Sequence, residues 1–192
     1  MTPSGLPRPH PNCYWVDPDR LSDRLLAGEY PGDRDEAEAR EKLRRLLSAG
    51  RDFFLDLTEP YEAGIIAPLQ PYDHWLADEA RALGVAAAHT RLSIPDMGLP
   101  ENPAHMARIL DTLDAALAAG RKVYLHCWGG IGRTGTVVGC YLVRHGRTGD
   151  EALETLDRWW RTVLKSLWAP RSPQTDEQVA YVRAWREPAA RR

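Results

Sequence analysis

The 192-residue chain is poor in lysine, cysteine and phenylalanine. Lysine occurs only at 42, 122 and 165, so arginine supplies most of the 25 basic residues, which 27 acidic ones outweigh to a net charge of −2. Without a basic excess, the chain lacks the electrostatic footprint of a dedicated nucleic-acid binder or membrane-surface protein. Cys13, Cys127 and Cys140 are too few and odd in number for a disulfide framework, and no pair has zinc-site spacing. No apolar run approaches the roughly 20 residues of a membrane span. The proline-rich, polar start of the chain lacks the apolar core of a secretory signal. These absences lead us to expect a cytoplasmic protein that neither inserts into membranes nor binds nucleic acid.

What remains is an ordinary globular composition, 43% hydrophobic and 27% charged, at a length that suits one domain. Residues 1–12, with four prolines, read as a flexible arm. Residues 13–187 then form a single domain, and 188–192 a tail.

Tyr14-Trp15-Val16 and Leu25-Leu26-Ala27 suggest a small antiparallel hairpin. Apolar residues at 39, 43, 46 and 47 give a helix from about Asp35, and Phe53–Leu57 is a buried strand. A second helix spans about 72–83 with Gly84 as its cap, and 85–92 is the next strand. Asn102-Pro103 starts a helix whose stripe is Met106, Ile109, Leu110, Leu113 and Leu117. Lys122–His126 is a strand. Thr148-x-x-Glu151 is a capping box for a helix to about Lys165, and Ser172-Pro173 opens a last helix. Strands alternating with helices predict an α/β fold with a twisted, mainly parallel sheet of four or five strands flanked by helices.

The chemically informative stretch is His126-Cys127-Trp128-Gly129-Gly130-Ile131-Gly132-Arg133-Thr134, between a strand and an apolar helix. A glycine-rich turn there aims successive backbone N–H groups and the helix's positive end into one concavity, a cradle for phosphate. A thiol at such a position beside a guanidinium is favoured as thiolate, the nucleophilic form. Arg133 offers a planar fork for two phosphate oxygens, and Thr134 a hydroxyl for the sulfur. His126 reads as a residue that orients the loop or as a satisfied core histidine.

This stretch resembles the H-C-x5-R-[ST] signature of the cysteine-dependent protein tyrosine and dual-specificity phosphatases. Gly129-Gly130 and the aromatic Trp128 look most like the kinase-associated phosphatases. Ile94-Pro95-Asp96-Met97-Gly98, with Asp96 lying 31 residues before Cys127, is similar to the family's general-acid loop. Gln174-Thr175-Asp176-Glu177-Gln178 is similar to its Q-x-x-x-Q loop.

The resemblance implies a phosphocysteine mechanism without metal or other cofactor. Cys127 would be nucleophile, Asp96 acid and then base, and Gln178 or Gln174 the residue that positions water. Trp128, Gly129, Gly130, Ile131, Gly132 and Arg133 would hold the phosphate. Thr175-x-x-Gln178 is equally a capping box, so a purely structural role for the glutamines stays open. Cys140 reads as a core residue. A Walker A loop fits less well, because Gly132-Arg133-Thr134 stands where it needs Gly-Lys-[Ser/Thr]. The absence of lysine among 128–132 favours phosphorylated protein side chains as substrate, tyrosine first and serine/threonine second, as for a protein tyrosine or dual-specificity phosphatase. A small phosphometabolite or phosphoinositide is the alternative, and a catalytically weak phosphate-binding module the reading of a different class.

Overall fold

Alternation along the central strands decides which helices cover which face of the sheet. In the computed structural model, which describes residues 6–63 and 68–188, five strands pair in the order β1-β2-β5-β3-β4. They are β1 (Cys13–Trp15), β2 (Leu25–Gly28), β3 (Phe53–Asp56), β4 (Ala88–Arg91) and β5 (Val123–His126). All neighbours are parallel except the β1–β2 hairpin, whose connection contains the short helix α1 (Pro18–Leu21).

Successive strand side chains point to opposite faces. Leu25, Ala27, Leu55, Val123 and Leu125 therefore join one buried cluster, while Leu26, Phe54 and Tyr124 join another. The first cluster is covered by α4 (Pro103–Ala118), α5 (Gly132–Arg144), α6 (Gly149–Trp160) and α7 (Asp176–Ala184). The second is covered by α2 (Glu36–Ser48) and α3 (Asp73–Leu83). Helix α5 lies deepest, with every residue from Gly132 to Leu142 buried, Cys140 among them. Its apolar surroundings push the Cys140 thiol well above the usual range.

The expected helix starts hold at Asp35 and Asn102, whose side chains accept backbone N–H groups of the first turn. Both capping boxes form, at Thr148/Glu151 and Thr175/Gln178. Elsewhere the chain departs from expectation. Helix α6 stops at Trp160 instead of continuing to Lys165. Trp160 Nε1 donates to Ala169 O at 2.7 Å, and Thr162 Oγ1 donates to Trp159 O at 2.7 Å. These bonds turn the chain back into a 3₁₀ turn at Leu164–Leu167. The last helix begins at Asp176 rather than at Ser172-Pro173, because Thr175 supplies the cap.

Residues 8–12 are fastened where a loose arm was expected. Arg8 donates to Cys13 O at 2.9 Å, His10 Nε2 sits 3.1 Å from the Tyr124 hydroxyl, and Asn12 Nδ2 donates to both Glu29 carboxylate oxygens at 3.2 Å. Residues 1–5 of that arm and 189–192 of the tail lie outside the described residues.

Candidate active site

In a parallel sheet the carboxyl ends of the strands open a crevice, and the cradle sits at the end of β5, the middle strand. A cleft of about 330 Å³ is lined there by Asp96, Met97, Cys127, Trp128, Gly129, Ile131, Gly132, Arg133, Lys165, Trp168 and Gln174.

The shape of the cradle follows from where its carbonyls go. Cys127 O is 3.2 Å from His126 Nδ1, and Trp128 O accepts from Tyr30 N at 2.8 Å. Gly129 O accepts from Lys165 Nζ at 3.2 Å, and Ile131 O from Ser172 Oγ at 2.7 Å. A trans peptide points its N–H opposite to its C=O. Carbonyls drawn outward by surrounding donors therefore turn the amides of 128, 129, 130 and 132 to the concave side, forming an anion nest. Gly130 has φ +73, and a Cβ there would lie 2.5 Å from Gly28 C. Both the left-handed backbone and the close approach to β2 demand glycine.

His126 is fully buried and carries no charge at neutral pH, since desolvation pushes it down to about 4. The Tyr72 hydroxyl lies 2.6 Å from its Nε2. Together with the Cys127 O contact this fits the tautomer in which Tyr72 O–H donates to Nε2 and Nδ1–H donates to Cys127 O. Beneath it, Asp56 is ionised well below the usual range. Burial opposes that charge, but the electrostatic interaction with His126 and hydrogen bonds from His89 and Thr58 outweigh it. These contacts tie His126 to the backbone at the start of the loop.

Both terminal nitrogens of Arg133 are fully engaged. Its Nη1 donates to Glu62 Oε2 at 2.5 Å and to Ile94 O at 3.1 Å. Its Nη2 donates to Glu62 Oε1 at 2.7 Å and to Asp96 Oδ1 at 2.8 Å. Burial favours the neutral guanidine, but the Glu62 carboxylate overrides it and keeps Arg133 charged. Thr134 is buried just after it, and its hydroxyl has no hydrogen-bond partner among the described residues.

The two glutamines part company. Gln178 is fully buried; its Oε1 accepts from Gln174 N and Thr175 N, both at 3.1 Å, and its Nε2 donates to Gly98 O at 3.0 Å. It ties α7 to the Asp96 loop. Gln174 is exposed and lines the cleft.

Sequence reasoning missed Glu62 and Lys165. Glu62 carries no local signal, since its partner lies 71 residues away. For Lys165 a signal existed: a lysine in a chain that otherwise uses arginine.

The family model described as "Polymorphic toxin system, DSP-PTPase phosphatase" matches residues 34–147. The chain belongs to this family. Among curated relatives, putative tyrosine phosphatase 067L of Invertebrate iridescent virus 3 is 30% identical over 125 residues, 64% of this chain and 43% of that protein. Phosphatidylglycerophosphate phosphatase PTPMT2 of Arabidopsis thaliana is 31% identical over 129 residues, 66% of this chain and 47% of that protein. The chain thus spans less than half the length of either. The same fold occurs in a crystal structure of kinase associated phosphatase, with a TM-score of 0.64 at 20% identity, covering 90% of this chain and 93% of that one. The expected α/β sheet flanked by helices is therefore the family's fold.

Proposed function

We propose that the protein is a phosphate-monoester hydrolase that works through a phosphocysteine at Cys127. The observation that carries this reading is the convergence of Cys127, Arg133 and Asp96 on one cleft whose cradle carbonyls at 127, 128, 129 and 131 are engaged by surrounding donors. The Cys127 thiolate attacks phosphorus, an S–P bond forms and the P–O bond breaks, and Asp96 gives its proton to the leaving oxygen. The nest amides and Arg133 hold the equatorial oxygens. Water then attacks phosphorus, the S–P bond breaks, and Asp96 takes the water's proton as inorganic phosphate leaves. Gln174, free and in the cleft, is the residue for positioning that water, while Gln178 holds the acid loop at Gly98. Thr134 serves the sulfur as it departs.

Substrate binding has to rearrange Arg133, because all four of its terminal N–H groups are taken. A phosphate that claims Nη2 and Nε displaces Asp96 from Nη2 and leaves its carboxyl free to act as the acid.

Phosphorylated protein side chains, tyrosine or serine/threonine, are the favoured substrates in a cytoplasmic setting that keeps the three free cysteines reduced. Among the described residues no helix is long and apolar enough to cross a membrane. A second reading, a small phosphometabolite or lipid phosphate, gains from Lys165 on the cleft wall, from exposed Leu167 and Trp168 beside it, and from the likeness to the phosphatidylglycerophosphate phosphatase. Hydrolysis of an aryl phosphate with chelator present, compared between wild type and Cys127→Ser, tests the mechanism. Survival of activity in the variant would refute the assignment of the nucleophile. Turnover of phosphotyrosine peptides against phosphatidylglycerophosphate separates the substrates. Inactive wild type that binds phosphopeptide tightly would instead mark a binding module.

A further inference from the structure

We infer that Lys165, gripped by Glu29, is a positioning residue for the phosphate cradle, reaching it from a turn outside the signature stretch. The inference rests on the reading of Cys127–Arg133 as an oxyanion site.

Consecutive glycines make the peptide between Gly129 and Gly130 the easiest in the cradle to rotate, because neither residue has a Cβ to restrict it. Rotation there would replace an inward N–H by a carbonyl oxygen facing the phosphate, exchanging attraction for repulsion. The Trp128 carbonyl is held by the Tyr30 backbone N–H, and Ile131 O is held by the backbone N–H of Gly135 as well as by Ser172. The Gly129 carbonyl is met by a side chain, Lys165 Nζ at 3.2 Å.

Lys165 does not reach Gly129 as a loose surface lysine. Its ammonium pairs with Glu29 Oε2 at 2.6 Å, and both side chains are about four-fifths buried, at 19% and 20% exposure. Such a pair is less screened than a surface one. Each partner is anchored in turn. Asn12 Nδ2 donates to both oxygens of Glu29, and Leu164 N, at the start of the 3₁₀ turn that carries Lys165, donates to Pro11 O at 3.1 Å. Pro11 and Asn12 thereby fix both ends of the ion pair, which gives the fastened N-terminal stretch a task at the active site. Nζ has three donors and no acceptor, so serving Glu29 and Gly129 O together is within its valence.

The test measures oxyanion affinity apart from turnover. Inorganic phosphate is used both as a competitive inhibitor of aryl-phosphate hydrolysis and as a ligand titrated into Cys127→Ser protein. Lys165→Met is expected to weaken phosphate binding and raise KM by about ten-fold, the effect of a residue that orients a binding group without touching the substrate. Lys165→Arg restores most of that loss. Glu29→Gln keeps the side chain's size and moves phosphate affinity the same way, by about three-fold.

The double variant Glu29→Gln/Lys165→Met stays weak if the grip on Gly129 matters. Its return to wild-type affinity would overturn the inference, because the defect would then be the unpaired Glu29 charge. Unchanged phosphate affinity in Lys165→Met, with wild type active, would overturn the brace alone. Wild type that neither hydrolyses aryl phosphate nor binds phosphate would overturn the functional reading and the brace with it.

Discussion

Two regions built on opposite plans meet at the cleft. The cradle, Cys127 to Arg133, is one uninterrupted turn between β5 and α5, and its thiol, glycine-rich turn and guanidinium come in fixed sequence order. The groups around it arrive from far along the chain: Glu62 from 71 residues before Arg133, Asp96 from 37 before it, and Lys165 from 36 beyond Gly129. The first region is specified by local backbone geometry, the second by tertiary placement. Substitutions in the first should therefore abolish chemistry, and those in the second should rescale it.

The sharpest form of that contrast sets Cys127 against Asp96. On the proposed mechanism Cys127→Ser removes the nucleophile, and aryl-phosphate turnover should fall by at least about 10⁴-fold while phosphate binding persists. Asp96→Asn keeps the nucleophile and removes the proton donor, for a loss of about 10²- to 10⁴-fold in kcat. The substrate dependence of that loss is diagnostic. It should shrink when the leaving group is a good one, such as nitrophenolate, because that oxygen needs no proton. The alkaline limb of the pH–rate profile should also disappear. An Asp96→Asn enzyme with an intact alkaline limb would move the acid elsewhere.

A smaller effect belongs to the backbone of the cradle itself. Gly130→Ala forces a Cβ onto φ +73 and to 2.5 Å from Gly28 C, contacts with backbone that no rotamer relieves. We expect a loss of about 2–4 kcal/mol in stability by urea denaturation, from left-handed strain together with overpacking. A stable Gly130→Ala protein with normal activity would show that the cradle tolerates a different path against β2.

How much of this was legible in the sequence follows the same division. The caps at Asn102, Thr148 and Thr175 are written in a residue type at a fixed spacing, and each side chain makes its cap, although the last helix starts at Asp176 and not at Ser172-Pro173. The β5–cradle–α5 unit was legible because its chemistry needs only neighbours. The end of α6 was not: Lys165 continues a helical pattern locally, and what stops the helix is a hydrogen bond from Trp160 to a carbonyl nine residues on. Gln178 was ambiguous because one side chain does both jobs. It completes the capping box and it reaches Gly98, and only the second depends on the fold. Glu62 was invisible, being a carboxylate in a loop of acidic and apolar residues until α5 brings Arg133 against it.

The subtlest difference between the regions is in how they answer to pH. His126 supports the cradle from below and is neutral because burial pushes it down from 6.5 to about 4. His10, under the Glu29 end of the brace, is likewise pushed down to about 4 by burial. Between these values the unfolded chain binds a proton at each site that the folded chain does not, so stability rises with pH across this window. The contribution of each is fully present above about pH 6.5 and is lost progressively as pH falls towards 4. For His126 the shift corresponds to as much as about 3 kcal/mol. Urea midpoints between pH 7 and pH 4.5 should fall steadily in wild type and less steeply in His10→Asn, with activity above pH 6.5 little changed in that variant. If the slope were the same with and without His10, its imidazole would have to take up its proton equally in the folded and the unfolded protein. The nearby Glu29 carboxylate would then balance burial, and the brace would gain a second cation as pH falls.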